Sequence, residues 1–159
     1  MNFRLIILFV FFHVYLIAQN EQKLNIYNPL ADAKGDIKKA VALAEKENKN
    51  VIIQVSGNWC SWCVKFHNLI NEDAKIDSMI KANYIYIYVN YSKENKNPDV
   101  LKELGNPQRF GFPVLVVLDK KGRRIHTQDT GFLELDKGYD PKKVMEFLKG
   151  WTAPVTNEL

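Results

Sequence analysis

The stretch from Val51 to Cys63 reads VIIQVSGNWCSWC and contains both cysteines of the chain. Its first five residues are mostly apolar and β-branched, which is typical of a strand at the centre of a sheet. Ser56–Asn58 predict a turn after that strand. A helix is predicted from the cysteine pair to about residue 70. The stretch therefore indicates a strand, a turn and a helix, with a dithiol where the helix begins.

The spacing of Cys60 and Cys63 places both sulfurs in the first helical turn, close enough to bond. At this end of a helix, free backbone N–H groups and the positive end of the dipole stabilise a thiolate on the first cysteine. A thiol with a lowered pKa supplies the nucleophile near neutral pH. We therefore expect Cys60 to attack a client disulfide and Cys63 to resolve the mixed disulfide; the reverse steps oxidise a dithiol.

Elements on both sides of this stretch have regular apolar patterns. Residues at helical spacing predict a helix capped by Asp36, and alternating aromatic and aliphatic residues predict a strand at 84–89. The other predicted elements are a short helix at 99–104, strands at 113–118 and 123–130 joined by a hairpin turn, and a last helix that opens at Asp140-Pro141. This order predicts a βαβ crossover followed by a hairpin, with helices on both faces of one central sheet.

The WCSWC motif after a strand, together with Gly111-Phe112-Pro113 before another strand, resembles the thioredoxin superfamily. The resemblance covers about residues 36–151 and is nearest to exported thioredoxin-like proteins with a tryptophan inside the motif. It implies an α/β, thioredoxin-like three-layer sandwich with a central mixed β-sheet flanked by helices. It also implies that Cys60 and Cys63 are catalytic and form a redox-active disulfide, without a cofactor or a metal.

The resemblance gives the proline before the third strand a role as well. In the superfamily a cis proline faces the cysteine pair, and the residue before it pairs its backbone with the substrate chain. Substrate binding by Phe112 and Pro113 is therefore implied, while a trans proline that merely begins a strand is the alternative. Trp59 and Trp62 are predicted to contact substrate beside the motif, and covering a sheet edge is the alternative for both.

Three positions depart from thioredoxins proper. Gln54 replaces a buried aspartate that serves proton transfer to the second cysteine, so water, Glu72 or Asp73 is expected to substitute, or resolution is slower. Ser61-Trp62 replaces the common Gly-Pro pair, which leaves the reduction potential open. Asn68 replaces a proline that often kinks the helix.

The N-terminal residues predict export. Arg4 precedes an apolar stretch of 13 residues, 5–17, and polar sequence follows Ala18. This is the pattern of a secretory signal peptide over residues 1–18, with an uncleaved membrane anchor as the alternative. Residues 19–35 are expected to be irregular and residues 36–159 to form the thioredoxin-like domain, located in the periplasm or secreted.

Composition narrows the function classes. The net charge of +4 is modest and lysines alternate with acidic residues, which argues against nucleic-acid binding. Two cysteines three residues apart make a poor structural staple, so a redox role is favoured. The predicted function is that of a monomeric protein-disulfide oxidoreductase, more a reductase than an oxidase, with exported client proteins and a membrane electron donor or acceptor as partners.

Two other classes stay open. A redox-inactive thioredoxin-like module would bind peptides around Phe112 and Trp62 without turnover. A metal carrier would use Cys60, Cys63 and His67, although zinc sites usually have four ligands and no fourth is evident. The direction of electron flow is open too, since a disulfide isomerase or oxidase would carry the same motif.

Overall fold

The computed structural model describes residues 25–156, so the predicted signal peptide over residues 1–18 lies outside the described residues. The strands are β1 (Asn50–Ser56), β2 (Tyr84–Asn90), β3 (Val114–Leu118), β4 (Arg124–Asp129), β5 (Glu134–Leu135) and β6 (Gly138–Tyr139). The helices are α1 (Ala33–Glu47), α2 (Ser61–Glu72), α3 (Ala74–Asn83), α4 (Pro98–Glu103), α5 (Pro141–Gly150) and α6 (Ala153–Thr156). Within residues 25–156, no helix combines the length and the apolar character that crossing a membrane requires.

The central sheet has the strand order β2-β1-β3-β4. β1 pairs in parallel with β2 and antiparallel with β3, and β3 pairs antiparallel with β4. The chain passes from β1 to β2 through α2 and α3, whereas β3 and β4 form a hairpin. The predicted crossover, the hairpin and the mixed α/β fold class are confirmed.

Both faces of the sheet are covered, because alternate residues of a strand point to opposite sides. On one face Val51, Ile53 and Val55 pack with residues of α1 and α4. On the other face Ile52 packs with residues of α2, α3 and α5. β1 therefore lies at the centre of the molecule, and the turn that follows it begins at the end of a strand packed on both faces.

α1 begins earlier than the sequence predicts. Its N-cap is Asp32, whose side chain accepts a hydrogen bond from the Gly35 N–H at 2.9 Å. The predicted cap at Asp36 is therefore wrong. Asp36 lies in the first turn of the helix instead, where a carboxylate interacts favourably with the helix dipole.

α3 is an element that the sequence analysis did not predict. Asp73 ends α2 and also caps α3, since its side chain accepts hydrogen bonds from the N–H groups of Lys75 and Ile76. The helix buries Ile76 and Ile80 against the core. It brings the chain from the end of α2 to the start of β2.

His126 of β4 has partners that the sequence did not indicate. Its ring stacks on Trp151 with centroids 4.1 Å apart, and its Nε2 lies 3.1 Å from Oε1 of Gln128. Trp151 thereby packs the end of α5 against the sheet.

Asp119 closes the turn between β3 and β4. Its carboxylate accepts hydrogen bonds from the backbone N–H groups of Lys121 and Arg123 at 2.9 Å and from Arg123 Nε at 2.6 Å. Burial alone raises the pKa of this carboxyl, but the hydrogen bonds from Arg123 and Lys121 outweigh it and hold the pKa below its ordinary value. Folding therefore favours the ionised form. The stabilisation is present above the ordinary carboxyl pKa and is lost as the pH falls through the lowered one.

We expect Asp119→Asn to lower the free energy of unfolding at pH 7 by about 1–2 kcal/mol, because hydrogen bonds to a charged group are weakened. The difference from wild type shrinks as the pH falls from about 4 through the lowered pKa. Urea unfolding at pH 7 and at pH 3 measures both effects. A constant difference at the two pH values would contradict this role for the carboxylate.

Candidate redox site

Cys60 and Cys63 are joined by a disulfide at the start of α2. Cys60 is the N-cap of the helix, and its Sγ accepts a hydrogen bond from the Cys63 N–H at 3.2 Å. A sulfur thus takes the capping position that serine or aspartate usually fills. Because helix N–H groups and the positive dipole end converge there, the site favours a thiolate on Cys60.

The two sulfur-bearing residues differ in burial. Cys60 retains 7% of its surface, whereas Cys63 retains none. Cys63 Sγ lies 2.8 Å from the hydroxyl oxygen of Ser56, the last residue of β1. Of the two cysteines, only Cys60 therefore has any surface at which an incoming thiolate could approach.

Phe112 and Pro113 lie beside the pair. The peptide bond between them is cis, and Phe112 packs against the apolar cluster that contains both cysteines. The carbonyl of Pro113 accepts a hydrogen bond from the Thr130 hydroxyl at 2.5 Å. The structure brings the predicted substrate-binding residues to the disulfide, and their contact with substrate stays a prediction.

Trp59 is the most exposed aromatic side chain at this site, with 56% of its surface accessible. Its indole Nε1–H donates to the carbonyl of Tyr91 at 2.8 Å, and its ring meets Phe112 edge-on at 5.2 Å. Gly57 permits this position, because a Cβ there would approach Trp59 Nε1 and the Tyr91 carbonyl to 2.5 Å. Trp59 is therefore held in place while one face stays open to solvent.

Trp62 has a different setting. Its ring meets Tyr139 of β6 edge-on at 5.5 Å, and the Lys65 ammonium lies 4.2 Å from the ring centroid. Trp62 also packs against the cysteine cluster and is half-buried. These contacts show a packing role, and its contact with substrate stays a prediction.

Tyr27 is a site residue that the sequence analysis missed. It is buried with Cys60 and Cys63 in one cluster. Its N–H donates to Asn58 Oδ1 at 2.9 Å, and Asn58 Nδ2 donates to the Tyr27 carbonyl at 2.7 Å. Tyr27 lies in the segment predicted to be irregular, where no periodic pattern marks a buried position, so the sequence held no signal for it.

Gln54 is fully buried, as expected for the position of the aspartate in thioredoxins proper. The two carboxylates predicted to substitute lie elsewhere. Glu72 is exposed at the end of α2, and Asp73 caps α3. Ten residues of helix at 1.5 Å rise separate Cys63 from Asp73 by about 15 Å. The prediction that either carboxylate serves Cys63 is therefore wrong.

His67 faces β2 rather than the sulfurs. Its Nδ1 lies 2.9 Å from the Tyr88 hydroxyl, and partial burial lowers the pKa of its imidazole. Among residues 25–156, no group of three or more histidine, cysteine, aspartate or glutamate side chains is arranged to hold a metal ion. The metal-carrier alternative therefore has no support in the described residues.

A mixed sheet flanked by helices, with a CxxC disulfide at the start of the helix after β1, defines a thioredoxin-fold oxidoreductase scaffold. The family model described as a thioredoxin-like domain matches residues 37–139. The chain therefore belongs to the thioredoxin-like domain family, and the predicted resemblance to the thioredoxin superfamily is confirmed.

Solved structures share this fold. A disulphide isomerase from Xylella fastidiosa Temecula1 is 21% identical, with a TM-score of 0.71 over 79% of this chain and 95% of that chain. A thioredoxin from Thermus thermophilus is 14% identical, with a TM-score of 0.48 over 84% and 95%. A DsbH oxidoreductase is 21% identical, with a TM-score of 0.46 over 70% and 81%. Comparison with curated proteins gives no match. At 21% identity the likeness to the Xylella fastidiosa structure shows the fold alone.

Proposed function

We propose that the protein is a thiol–disulfide oxidoreductase that exchanges disulfides with exported client proteins and works mainly as a reductase. One observation carries the proposal: of two bonded cysteines at a helix N-terminus, Cys60 retains a small accessible surface and Cys63 retains none. A structural disulfide needs no such asymmetry. A redox pair does, because one sulfur meets the client and the other stays inside to release it.

The reaction has two balanced exchanges. In the reduced protein the Cys60 thiolate attacks one sulfur of a client disulfide, a mixed disulfide forms, and the other client sulfur leaves as a thiolate. The Cys63 thiolate then attacks Cys60 Sγ and releases the second client thiolate. The client gains two electrons and the Cys60–Cys63 bond is restored. A dithiol reductant returns the two electrons by the reverse steps.

The surface around Cys60 suits an extended client chain. Trp59 supplies an exposed aromatic face, and Phe112 joins it edge-on beside the disulfide. We propose that the client pairs its backbone with Phe112 and makes an apolar contact with Trp59. Pro113 and Trp62 complete the proposed client-binding surface.

An exported protein can work as a reductase only if a partner supplies it with electrons. The apolar stretch at residues 5–17 after Arg4 favours passage out of the cytosol, where disulfides persist. A reductase in such a compartment needs electrons from a dithiol on a membrane protein. We therefore include a membrane electron donor in the proposal and place the protein in the periplasm or outside the cell.

Trapping the first step tests exchange. Reduced Cys63→Ser protein mixed with a disulfide-bonded client peptide is expected to form a stable one-to-one mixed disulfide through Cys60, because the resolving sulfur is missing. Non-reducing electrophoresis and mass spectrometry measure it. Wild-type protein under the same conditions is the control and should release the peptide as a dithiol. No adduct in the variant would overturn the proposal.

The midpoint potential of the Cys60–Cys63 couple tests the direction. Redox-buffer titration followed by tryptophan fluorescence is suitable, since Trp59 and Trp62 flank the pair. A value near or below about −250 mV supports a reductase. A value between about −180 and −120 mV would instead favour an oxidase or an isomerase, the activity for which the Xylella fastidiosa protein is named.

A further inference from the structure

Three polar side chains lie buried behind the disulfide, on the face of β1 that α2 covers. Gln54 and Ser56 have no accessible surface, and Tyr27 retains 2% of its surface. Buried amides and hydroxyls need hydrogen-bond partners, because an unpaired one costs its full desolvation. The direction of their hydrogen bonds therefore shows which buried groups act as donors and which act as acceptors.

The hydrogen bonds run in one direction. The Tyr86 hydroxyl donates to Gln54 Oε1 at 2.5 Å, and Gln54 Nε2 donates to the Tyr27 hydroxyl oxygen at 2.6 Å. Both ends of the Gln54 amide are thus in use, and the Tyr27 oxygen accepts one hydrogen bond. Ser56 is near enough to the Tyr27 hydroxyl to influence the pKa of that tyrosine.

The last link reaches sulfur. Ser56 Oγ lies 2.8 Å from Cys63 Sγ, and a disulfide sulfur has no proton to give, so the serine hydroxyl is the donor. Cys63 Sγ is therefore the acceptor of a hydrogen bond from a fully buried serine. Cys60, in contrast, receives the backbone N–H of the helix.

We propose that Ser56, oriented by Tyr27 and Gln54, stabilises the Cys63 thiolate by hydrogen bonding and so replaces the buried carboxylate that thioredoxins proper use at this cysteine. The proposal rests on the proposed exchange function. Ser56 touches a reacting atom, whereas Tyr27 and Gln54 act through it as positioning residues.

Ser56 serves the step of the reaction in which Cys63 carries a negative charge. When a reductant thiolate attacks Cys60 Sγ, a new bond forms there, the Cys60–Cys63 bond breaks, and Cys63 leaves as a thiolate with the electron pair. In the other direction the same thiolate attacks Cys60 and displaces the client. A donor that is already aimed at Cys63 Sγ stabilises this charge in both directions, as a preorganised group does.

The buried polar side chains act by donating hydrogen bonds and not by accepting a proton. Burial raises the pKa of Tyr27 well above its ordinary value, while hydrogen bonds with Gln54 and Ser56 act the opposite way. Tyr27 therefore keeps its proton across the working pH range. Other titratable groups near the pair are Tyr88, which packs against the cysteine cluster, and its partner His67. Tyr86, which donates to Gln54, and Tyr139, which packs against Trp62, also lie close by.

The test measures the Cys63 thiol directly. In a Cys60→Ser background Cys63 is the only cysteine of the chain, and its thiolate absorbance can be followed against pH. Adding Ser56→Ala is expected to leave about tenfold less thiolate at a given pH, the size expected when a charge-assisted hydrogen bond is lost. Adding Tyr27→Phe should move the titration the same way by a smaller amount, because Ser56 remains but loses its orientation.

Tyr84→Phe is the matched control. Tyr84 also lies buried on this face of the sheet, but its hydroxyl donates to the Leu148 carbonyl, away from the cysteines. Its loss should lower stability and leave the Cys63 titration unchanged. Unchanged titration with Ser56→Ala, or with Tyr27→Phe if the first variant does not fold, would overturn the inference. Because no client is used, a protein without exchange activity would refute the proposed function and leave this result readable.

Discussion

Cys60→Ser should reduce disulfide exchange to the uncatalysed rate. The reason is access, since Cys60 is the only cysteine of the pair with any accessible surface. A helix N–H also stabilises its thiolate, whereas a serine hydroxyl is a far weaker nucleophile at neutral pH. Reduction of insulin by dithiothreitol, followed as turbidity, measures the rate.

Cys63→Ser is the control for this variant. It removes a sulfur of the same pair and the same disulfide, but leaves the attacking residue in place. We expect it to lose turnover and still to consume one equivalent of client disulfide. If Cys60→Ser kept a rate clearly above that of dithiothreitol alone, the chemistry would not lie at this pair.

Phe66→Ala should lower the free energy of unfolding by about 3–5 kcal/mol. Phe66 lies in the second turn of α2, retains 1% of its surface, and meets the Tyr139 ring at 4.9 Å. Truncation removes the apolar contact that seats α2 on the sheet and leaves a cavity that rigid strands cannot fill. Denaturant unfolding of the oxidised protein measures the change.

Phe132→Ala is the matched control, because it deletes the same ring from a side chain that is 74% exposed. Its free energy of unfolding should change by less than about 0.5 kcal/mol. Equal losses in the two variants would contradict the role given to Phe66.

Local pattern and cap chemistry predicted most of the fold. The strands at β1, β2 and β3 follow from short apolar or alternating runs, and Asp140 caps α5 as its position before Pro141 indicates. α3 was missed because Asp73 serves both as the end of one helix and as the start of the next. No turn sequence separates the two, although Ile76 and Ile80 have helical spacing.

The candidate site likewise contains some residues that the sequence predicts and others that it does not. The cysteines and Pro113 belong to motifs with short spacing, so the sequence alone points to them. The pairing of Tyr27 with Gln54 behind the cysteines does not, since these two residues are 27 residues apart and meet only when the chain before α1 folds over the end of β1. The wrong assignment to Glu72 or Asp73 came from their proximity to Cys63 along the chain. Helix α2 separates them from Cys63 in space.

The reciprocal hydrogen bonds between Tyr27 and Asn58 bear on where an autonomous folding unit begins. A chain cut to the stretch shared with the family, residues 37–139, would keep the dithiol and the sheet. It would lose the tyrosine that fills the space behind the sulfurs, and also α5, whose Val144 and Phe147 belong to the core. The portion that the family model matches is therefore shorter than the portion of the chain that the complete redox site needs.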